Sequence, residues 1–257
     1  MKVKEVILMR INAGLQNEID LIKAIDGKRF DELGHNLQFM MKAMYEAFDA
    51  ETFSAAKEDP RAKPDIAITY HGKTFHISVK SGGADHIHCE DIKKFILSLR
   101  SRGISAQTQK TILRFQFGDG TLDGSGTVRL PYETLFLEMQ EQIKEANVEL
   151  NRNNELVIDY VTKFLFEGNF EGLPRADYIY FGNAEYGNLV SENQIIKHLK
   201  RRNYQYLNNL HLGPVQFGPR ARFIHFDEKD PQRRYYVSFK WTRLAVDLDY
   251  ISRRYDD

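Results

Sequence analysis

The spacing of apolar residues predicts a helix followed by a β-hairpin in the N-terminal part of the chain. Over residues 30–48 the apolar side chains recur at helical spacing. Asp31 and Glu32 stand in the first turn, where the helix dipole favours anions. After a break at EDPRAKP, two runs of alternating apolar and polar residues flank a turn that contains Gly72. This pattern predicts a hairpin over residues 64–80.

The rest of the chain alternates between helical and strand-like patterns. We expect helices over residues 89–103, over most of 132–166 and around 192–202. We expect strands at KTILRFQF (110–117), ADYIYFG (176–182) and RYYVSFKW (234–241). This order of elements predicts an α/β or α+β fold with a central mixed sheet.

Composition and charge narrow the class of protein. The chain has 257 residues, of which 42% are apolar, enough to form a sizeable core. The formal net charge is zero, which does not exclude nucleic acid, because only the charge of the binding face matters. Acids outnumber bases by nine to three over residues 133–171, whereas bases lead by twelve to seven over residues 200–257.

Cysteine usage and hydropathy predict the compartment. Cys89 is the single cysteine, so the chain has no internal disulfide, and a reducing compartment is expected. The apolar run at residues 6–9 is too short for a signal peptide, and no run approaches a membrane span. We therefore expect a soluble, cytoplasmic protein with no membrane partner.

The polar face of the predicted hairpin carries groups suited to chemistry. Because side chains alternate across a strand, Ser78 and Lys80 face away from the apolar residues at 75, 77 and 79. Folding about Gly72 then brings Asp65 opposite the end of the second strand. A carboxylate, a hydroxyl and an ammonium group are thus expected at one end of the hairpin.

This grouping matches the needs of phosphodiester hydrolysis. A Mg²⁺ ion held by carboxylates lowers the pKa of its water and polarises a phosphate. A nearby ammonium orients the water or neutralises developing charge. Since one aspartate alone holds Mg²⁺ weakly, a second carboxylate is needed. We expect Glu90 to supply it, from the start of the helix after a glycine-bearing loop.

These residues carry a resemblance to a known superfamily. Pro64-Asp65, followed after twelve residues by Ser78-Val79-Lys80, resembles the PD-(D/E)xK motif of the restriction-endonuclease-like nucleases. Ser78 stands where that motif has an acid. Some restriction endonucleases of the superfamily also carry Ser-x-Lys and use a glutamate from the following helix, a position that Glu90 fits. The run KSGG…IHCE resembles a pattern of uncharacterised restriction-like proteins, and the similarity covers roughly residues 30–118.

The resemblance implies roles for individual residues. Asp65 and Glu90 would bind Mg²⁺, or Mn²⁺, while Lys80 assists the water and Ser78 is a lesser polar contributor. Members often add a glutamate from the first core helix. Glu32 is the nearest candidate for that third metal ligand, with Asp31 and Glu46 as competitors.

The resemblance also implies a fold, a partner and an assembly. We expect a nuclease core over residues 1–130, with a mixed sheet flanked by helices. Residues 131–257 would be a mixed α/β extension that completes the core and contacts DNA, unless the chain is one continuous domain. The partner would be double-stranded DNA, and cutting both strands favours a homodimer. The candidate DNA-binding residues are His88, Lys200, Arg201, Arg202, Arg220 and Arg222.

Several functions remain open on the sequence alone. The first is a restriction or phage-defence endonuclease. One alternative is a non-catalytic DNA-binding module that keeps the nuclease fold, in which Ser78 would reflect loss of the catalytic acid. The other is a repair or recombination nuclease that recognises DNA structures rather than sequences. A zinc site at His76, His86, His88 and Cys89 lacks the second ligand pair that such sites show. Cys89 as a nucleophile lacks recognisable partners.

Overall fold

Two β-sheets form the framework of the molecule. The structure, a computed structural model, describes residues 13–83, 85–201, 209–220, 222 and 230–255. The α-helices are α1 (Ala13–Ile25), α2 (His35–Met44), α3 (Ile92–Ser101), α4 (Ala106–Phe117), α5 (Tyr132–Glu138), α6 (Gln140–Leu150), α7 (Asn154–Phe166), α8 (Glu192–Leu199) and α9 (Leu244–Arg254). The strands are β1 (Ser54–Lys57), β2 (Ile66–Tyr70), β3 (Lys73–Lys80), β4 (His86–Asp91), β5 (Tyr178–Gly182), β6 (Gly187–Ser191), β7 (Leu210–Leu212), β8 (Val215–Pro219) and β9 (Tyr236–Lys240).

The first sheet contains the predicted hairpin. Its strand order is β1-β2-β3-β5-β6, with β3 and β5 parallel and the other neighbours antiparallel. The hairpin turns at His71 and Gly72, both with positive φ, the geometry that a two-residue turn requires. This mixed sheet, flanked by helices, confirms the α+β class.

The second sheet is antiparallel, with strand order β4-β9-β8-β7. Its first strand corrects the prediction of a helix from residue 89. Residues 86–91 pair with β9, and α3 begins only at Ile92, where the Asp91 carboxylate accepts hydrogen bonds from the backbone N–H groups of Lys93 and Lys94. Glu90 therefore lies in a strand rather than at the start of a helix.

The predicted strand at residues 110–117 is also wrong, because this segment is the second half of α4. The Ser105 hydroxyl caps the helix at its N-terminus, and Gly118 ends it in the left-handed conformation at φ 61°. Ile112 and Phe115 are buried one turn apart. The alternation of apolar and polar residues in this short run is compatible with either structure, and packing against α6 and β8 selects the helix.

The other predicted elements are present with shifted ends. The helix expected over residues 30–48 is a 3-10 turn, Phe30–Glu32, followed by α2, so Asp31 and Glu32 lie in the turn. Helices α5, α6 and α7 confirm the helical region at 132–166, and β5, α8 and β9 confirm the later pattern.

Two apolar cores lie beside the sheets. One fills the space between the first sheet and helices α1 and α2, and the other packs the second sheet against α3–α9. Each sheet contains strands from both sides of residue 130. Within the described ranges, no helix has the length and apolarity needed to cross a bilayer.

Candidate functional site

The structure brings Asp65, Ser78 and Lys80 together at the open end of the hairpin. The Asp65 Oδ2 atom accepts hydrogen bonds from the Val79 backbone N–H at 2.6 Å and from the Ser78 hydroxyl at 3.3 Å. The Lys80 ammonium donates to Ser78 Oγ at 3.1 Å and lies 3.7 Å from Asp65 Oδ2. Ser78 thus links the cation to the carboxylate.

The local fold explains this convergence. The Asp65 N–H donates to the Ile77 carbonyl at 2.8 Å, which extends the ladder one residue beyond β2. Asp65 and Ser78 therefore share the face of the sheet opposite to the paired Ile66 and Ile77. Ser78 is fully buried, whereas the side chains of Asp65 and Lys80 are 27% and 19% exposed. The charged pair is open to solvent, and the serine beneath it is fixed.

The carboxylate has room for a cation. All these contacts fall on Oδ2, and no described residue donates to Asp65 Oδ1. Mg²⁺ in proteins keeps several waters and takes only one or two carboxylates. The partly exposed Asp65 carboxylate fits such an ion, with the remaining positions left to water and substrate.

Among the described residues, Glu90 forms its ion pair with Lys163 and not with Lys80. Glu90 is 8% exposed, and its Oε1 atom accepts from the Lys163 ammonium at 3.1 Å. Its Oε2 atom is buried and has no hydrogen-bond partner among the described residues. Glu90 also forms part of the wall of a cavity of about 620 Å³ between β4, α3 and the segment after α7.

Glu32 lies at the other end of the first sheet. Its carboxylate accepts from the Arg29 N–H at 2.8 Å, and Arg29 bridges to Thr52, ahead of β1. Lys57, at the other end of β1, pairs with Ile66, which is next to Asp65. Asp65 is therefore several residues away from Glu32 along the strands. Across the described chain, Asp65, Glu90 and Glu32 do not offer three ligand atoms within 4.8 Å of one another.

Sequence reasoning missed Glu18. Its carboxylate pairs with Lys57 at 3.2 Å, opposite Ile66, and the neighbouring Asn17 amide donates to the Gly182 carbonyl, just beyond the partner of Lys80. Glu18 is therefore the acid of α1 nearest the Asp65 end of the sheet, on the other face. The signal was helical spacing of Leu21 and Ile25, both buried.

Cations continue from the cluster across to the second sheet. Lys63 donates to the Ile87 carbonyl at 2.8 Å, and burial together with the Lys80 ammonium lowers the pKa of Lys63 to about 7, despite the opposing effect of Asp65. Burial, Lys240 and Arg220 lower the pKa of His86. Lys80 thus lies near Lys63, and Arg220 and Lys240 lie near His86; we call these four residues the cationic track, in which the buried Lys63 is only about half protonated at pH 7.

Of the predicted DNA-binding residues, Arg220 belongs to this track and Arg222 lies beside it. Arg220, Arg222 and Lys240, with Asp85, line a second cavity of about 340 Å³, and Arg222 also lies over the Tyr132 ring at 4.0 Å. Lys200 and Arg201 follow α8, and Arg201 lies over the Tyr255 ring at 5.4 Å. Arg202 lies outside the described residues.

His88 is not placed to contact DNA, because its side chain is buried. Its ring stacks on Phe164 with centroids 4.6 Å apart. Burial, with smaller effects of Lys63 and Lys163, lowers the pKa of His88 to about 3, so the ring is neutral at pH 7. This correction follows from β4, which directs the side chain towards α7.

The zinc site that the sequence analysis set aside does not assemble in the described part of the chain. His76 pairs with Glu58 at 2.6 Å, and Cys89 lies beside Arg220 at 3.9 Å, with burial raising the pKa of its thiol. In the described ranges, the one group of three metal-ligand atoms within 4.8 Å comes from Asp49, Glu51 and His71, all exposed at the hairpin turn.

Comparison with known proteins gives no family model and no curated protein that matches this chain.

Proposed function

We propose that this chain is a metal-dependent endonuclease that hydrolyses DNA phosphodiester bonds at Asp65, Ser78 and Lys80. The observation that carries the proposal is the contact of the Lys80 ammonium with Ser78 Oγ, 3.7 Å from a carboxylate with one unbonded oxygen. A fixed cation beside a site for Mg²⁺ is the arrangement that phosphoryl chemistry requires. A restriction or phage-defence enzyme, acting as a homodimer on duplex DNA, is the form of this function that we favour.

The roles of the residues follow from their contacts. Asp65 would hold Mg²⁺ or Mn²⁺, which would supply a water of lowered pKa and a positive charge for the phosphate. Lys80 holds its ammonium towards the water or the phosphate oxygens, and Ser78 fixes the direction of that side chain. Glu18 is the helix acid nearest this end of the sheet, but it lies on the other face and pairs with Lys57, so the coordination positions that Asp65 leaves open would go to water and substrate.

The cationic track supports DNA as the substrate. Duplex DNA carries one negative charge per about 1.7 Å of its axis, so a binding face needs several cations in a row. Arg220, Arg222 and Lys240, the last of them paired with Asp85, provide such a group of cations, although the net charge of the chain is zero. The mixed, helix-flanked sheet is also what the resemblance to restriction-endonuclease-like nucleases implies.

A non-catalytic DNA-binding module is the second candidate, and one observation favours it. Glu90, which would replace the missing acid at position 78, is paired with Lys163. Under this alternative the cationic track binds DNA, and Asp65 is an ordinary acceptor for the hairpin backbone.

Cleavage assays with the purified protein separate the two. We expect duplex DNA to be cut with Mg²⁺ or Mn²⁺ and to stay intact with EDTA. Asp65→Asn should abolish cutting and keep DNA affinity, because an amide is a poor ligand for a hard cation. Asp31→Asn, an exposed acid at the opposite end of the sheet, is the matched control and should cut normally. DNA binding without cutting under any metal would favour the non-catalytic module.

A further inference from the structure

The cavity beside Glu90 has the size and shape of a ligand site. Its volume of about 620 Å³ lies in the range of small-molecule sites. It is lined by Glu90 and Lys163 and by the segment from Glu167 to Leu173. We call this space the Glu90 cavity.

The ion pair that lines it is incomplete. Burying two charges costs desolvation free energy, which their attraction offsets only when the remaining lone pairs are also satisfied. Glu90 is more than nine-tenths buried, yet its Oε2 atom has no partner in the described part of the molecule. Because the terminal torsion of glutamate is soft, the carboxylate can turn an oxygen towards the cavity. A ligand that donates an N–H group would complete this site.

The edge of the cavity adds two exposed aromatic rings. Phe170 is 56% exposed and Tyr236 is 38% exposed, and both line the Glu90 cavity. Exposed rings beside polar groups are suited to stacking on a flat heterocycle, and stacking on aromatic side chains is how proteins hold unpaired bases. Lys94 and Arg175 also line the cavity, together with the acids Asp91, Glu167 and Glu171; Arg175 is paired with Glu192, so Lys94 is the cation that would meet a phosphate.

The cavity adjoins the proposed cleavage site. The backbone of Gly168 packs against Lys63. A Cβ atom added at Gly168 would lie 3.5 Å from the backbone nitrogen of Lys63. Lys63 stands two residues before Asp65 and bonds the carbonyl of Ile87 on β4. Lys63 therefore links the segment that lines the cavity to the proposed cleavage site.

From these features we infer that the Glu90 cavity binds a single unpaired nucleotide. Glu90 accepts from an N–H group of the base, Lys163 donates to the neighbouring ring nitrogen or oxygen, and Phe170 with Tyr236 stacks on the ring. An adenine or cytosine, which presents an amine beside a ring acceptor, matches this pair of groups. The choice of DNA as the source of the nucleotide rests on the proposed function.

Calorimetric titration with dAMP and dCMP tests this inference. The titrations are made in EDTA, so that the result does not depend on cleavage. We expect both nucleotides to bind, and 2-deoxyribose 5-phosphate, which keeps the phosphate and lacks the base, to bind at least tenfold more weakly. Equal affinity for the baseless sugar phosphate, or no binding of either nucleotide at millimolar concentration, overturns the inference.

Variants assign the binding to this cavity. Phe170→Ala removes an exposed ring and should weaken nucleotide binding by roughly 5- to 150-fold, the range for loss of one base stack. Phe39→Ala, an equally exposed ring on α2 and outside this cavity, is the control and should bind as the wild type does. Glu90→Gln should also weaken binding, with its fold checked by circular dichroism. If Phe170→Ala binds nucleotides unchanged, the cavity is not the site.

The two proposals fail in different ways. A protein that cuts DNA but does not bind the nucleotides keeps the proposed function and loses the cavity assignment. A protein that binds them with the stated dependence on Phe170, yet never cuts DNA, retains the cavity as a nucleotide site.

Discussion

Replacement of Lys80 by methionine separates the rate of cleavage from the binding of metal. The ammonium lies 3.7 Å from Asp65 Oδ2, and both side chains are about one-quarter exposed. Loss of one fixed group that stabilises transition-state charge lowers kcat by about 10²- to 10³-fold in comparable sites. We expect that loss in Lys80→Met, because methionine keeps most of the volume of the side chain and removes the charge.

The same substitution should not weaken the binding of the metal ion. At about 4 Å, a unit charge pair is worth between ~1 kcal/mol in water and ~4 kcal/mol at the edge of a protein, so the Lys80 ammonium opposes a cation at Asp65. Its removal should leave the Kd for Mg²⁺ unchanged or several-fold lower. Single-turnover cleavage of a plasmid gives the rate, and Mn²⁺ titration followed by electron paramagnetic resonance gives the affinity.

The control is Lys73→Met, at the other end of the same strand. Lys73 lies over the Phe75 ring at 4.6 Å, away from the cluster, and its loss should change neither the rate nor the affinity. Cleavage by Lys80→Met at the wild-type rate would refute the assigned role of the ammonium. Loss of metal binding together with the rate would show instead that Lys80 holds the site together.

Three further predictions concern acid stability, a buried cation and salt dependence. The pKa of His88 in the folded state, about 3, lies below the ordinary value of 6.5, so the unfolded state binds more protons between these two pH values. The contribution of His88 to the free energy of unfolding should therefore be fully present above pH 6.5. It should fall on acidification by up to ~1.4 kcal/mol per pH unit. Urea titrations of His88→Phe should show a shallower decline, and an identical decline would contradict the burial effect. Arg129 is fully buried and donates to the Phe115, Gln116 and Phe117 carbonyls at the end of α4. Arg129→Met should therefore lower the free energy of unfolding by about 3–5 kcal/mol in the same titrations. A decrease of less than about 1 kcal/mol would argue against this role of Arg129 as a helix cap. If Arg220 and Lys240 touch phosphates, each Gln variant should lower the slope of log K against log salt by about 0.9 in fluorescence anisotropy, and unchanged slopes would remove them from the binding face.

Local patterns predicted the part of the site that depends on neighbouring residues. The hairpin follows from two alternating runs and a turn, so the approach of Asp65 to Ser78 and Lys80 needed no distant information. The fold class likewise followed from the order of helices and strands. The three residues of the cluster lie within about fifteen positions of one another in the chain.

Long-range pairing decided the rest. Glu90 lies in a strand because β4 pairs with β9, whose residues are about 150 positions later in the chain. The run of β4 is followed directly by the helical pattern of α3, so the sequence offers no boundary between them. Glu18 was missed for a related reason, since only the contacts of Lys57 and Gly182 show which acid lies at this end of the sheet.

The interleaving of the two sheets sets the order in which the protein can become functional during synthesis. β3 acquires its parallel partner β5 only after about 100 further residues, and β4 has no neighbour until β9 emerges. Until then the nascent chain carries strand edges that are open to other chains, as in proteins dominated by distant contacts. The sheet that supports the Asp65 cluster can therefore be completed only after β5 and β6 have been made, and the residues of the second sheet near Arg220 and Lys240 follow later still.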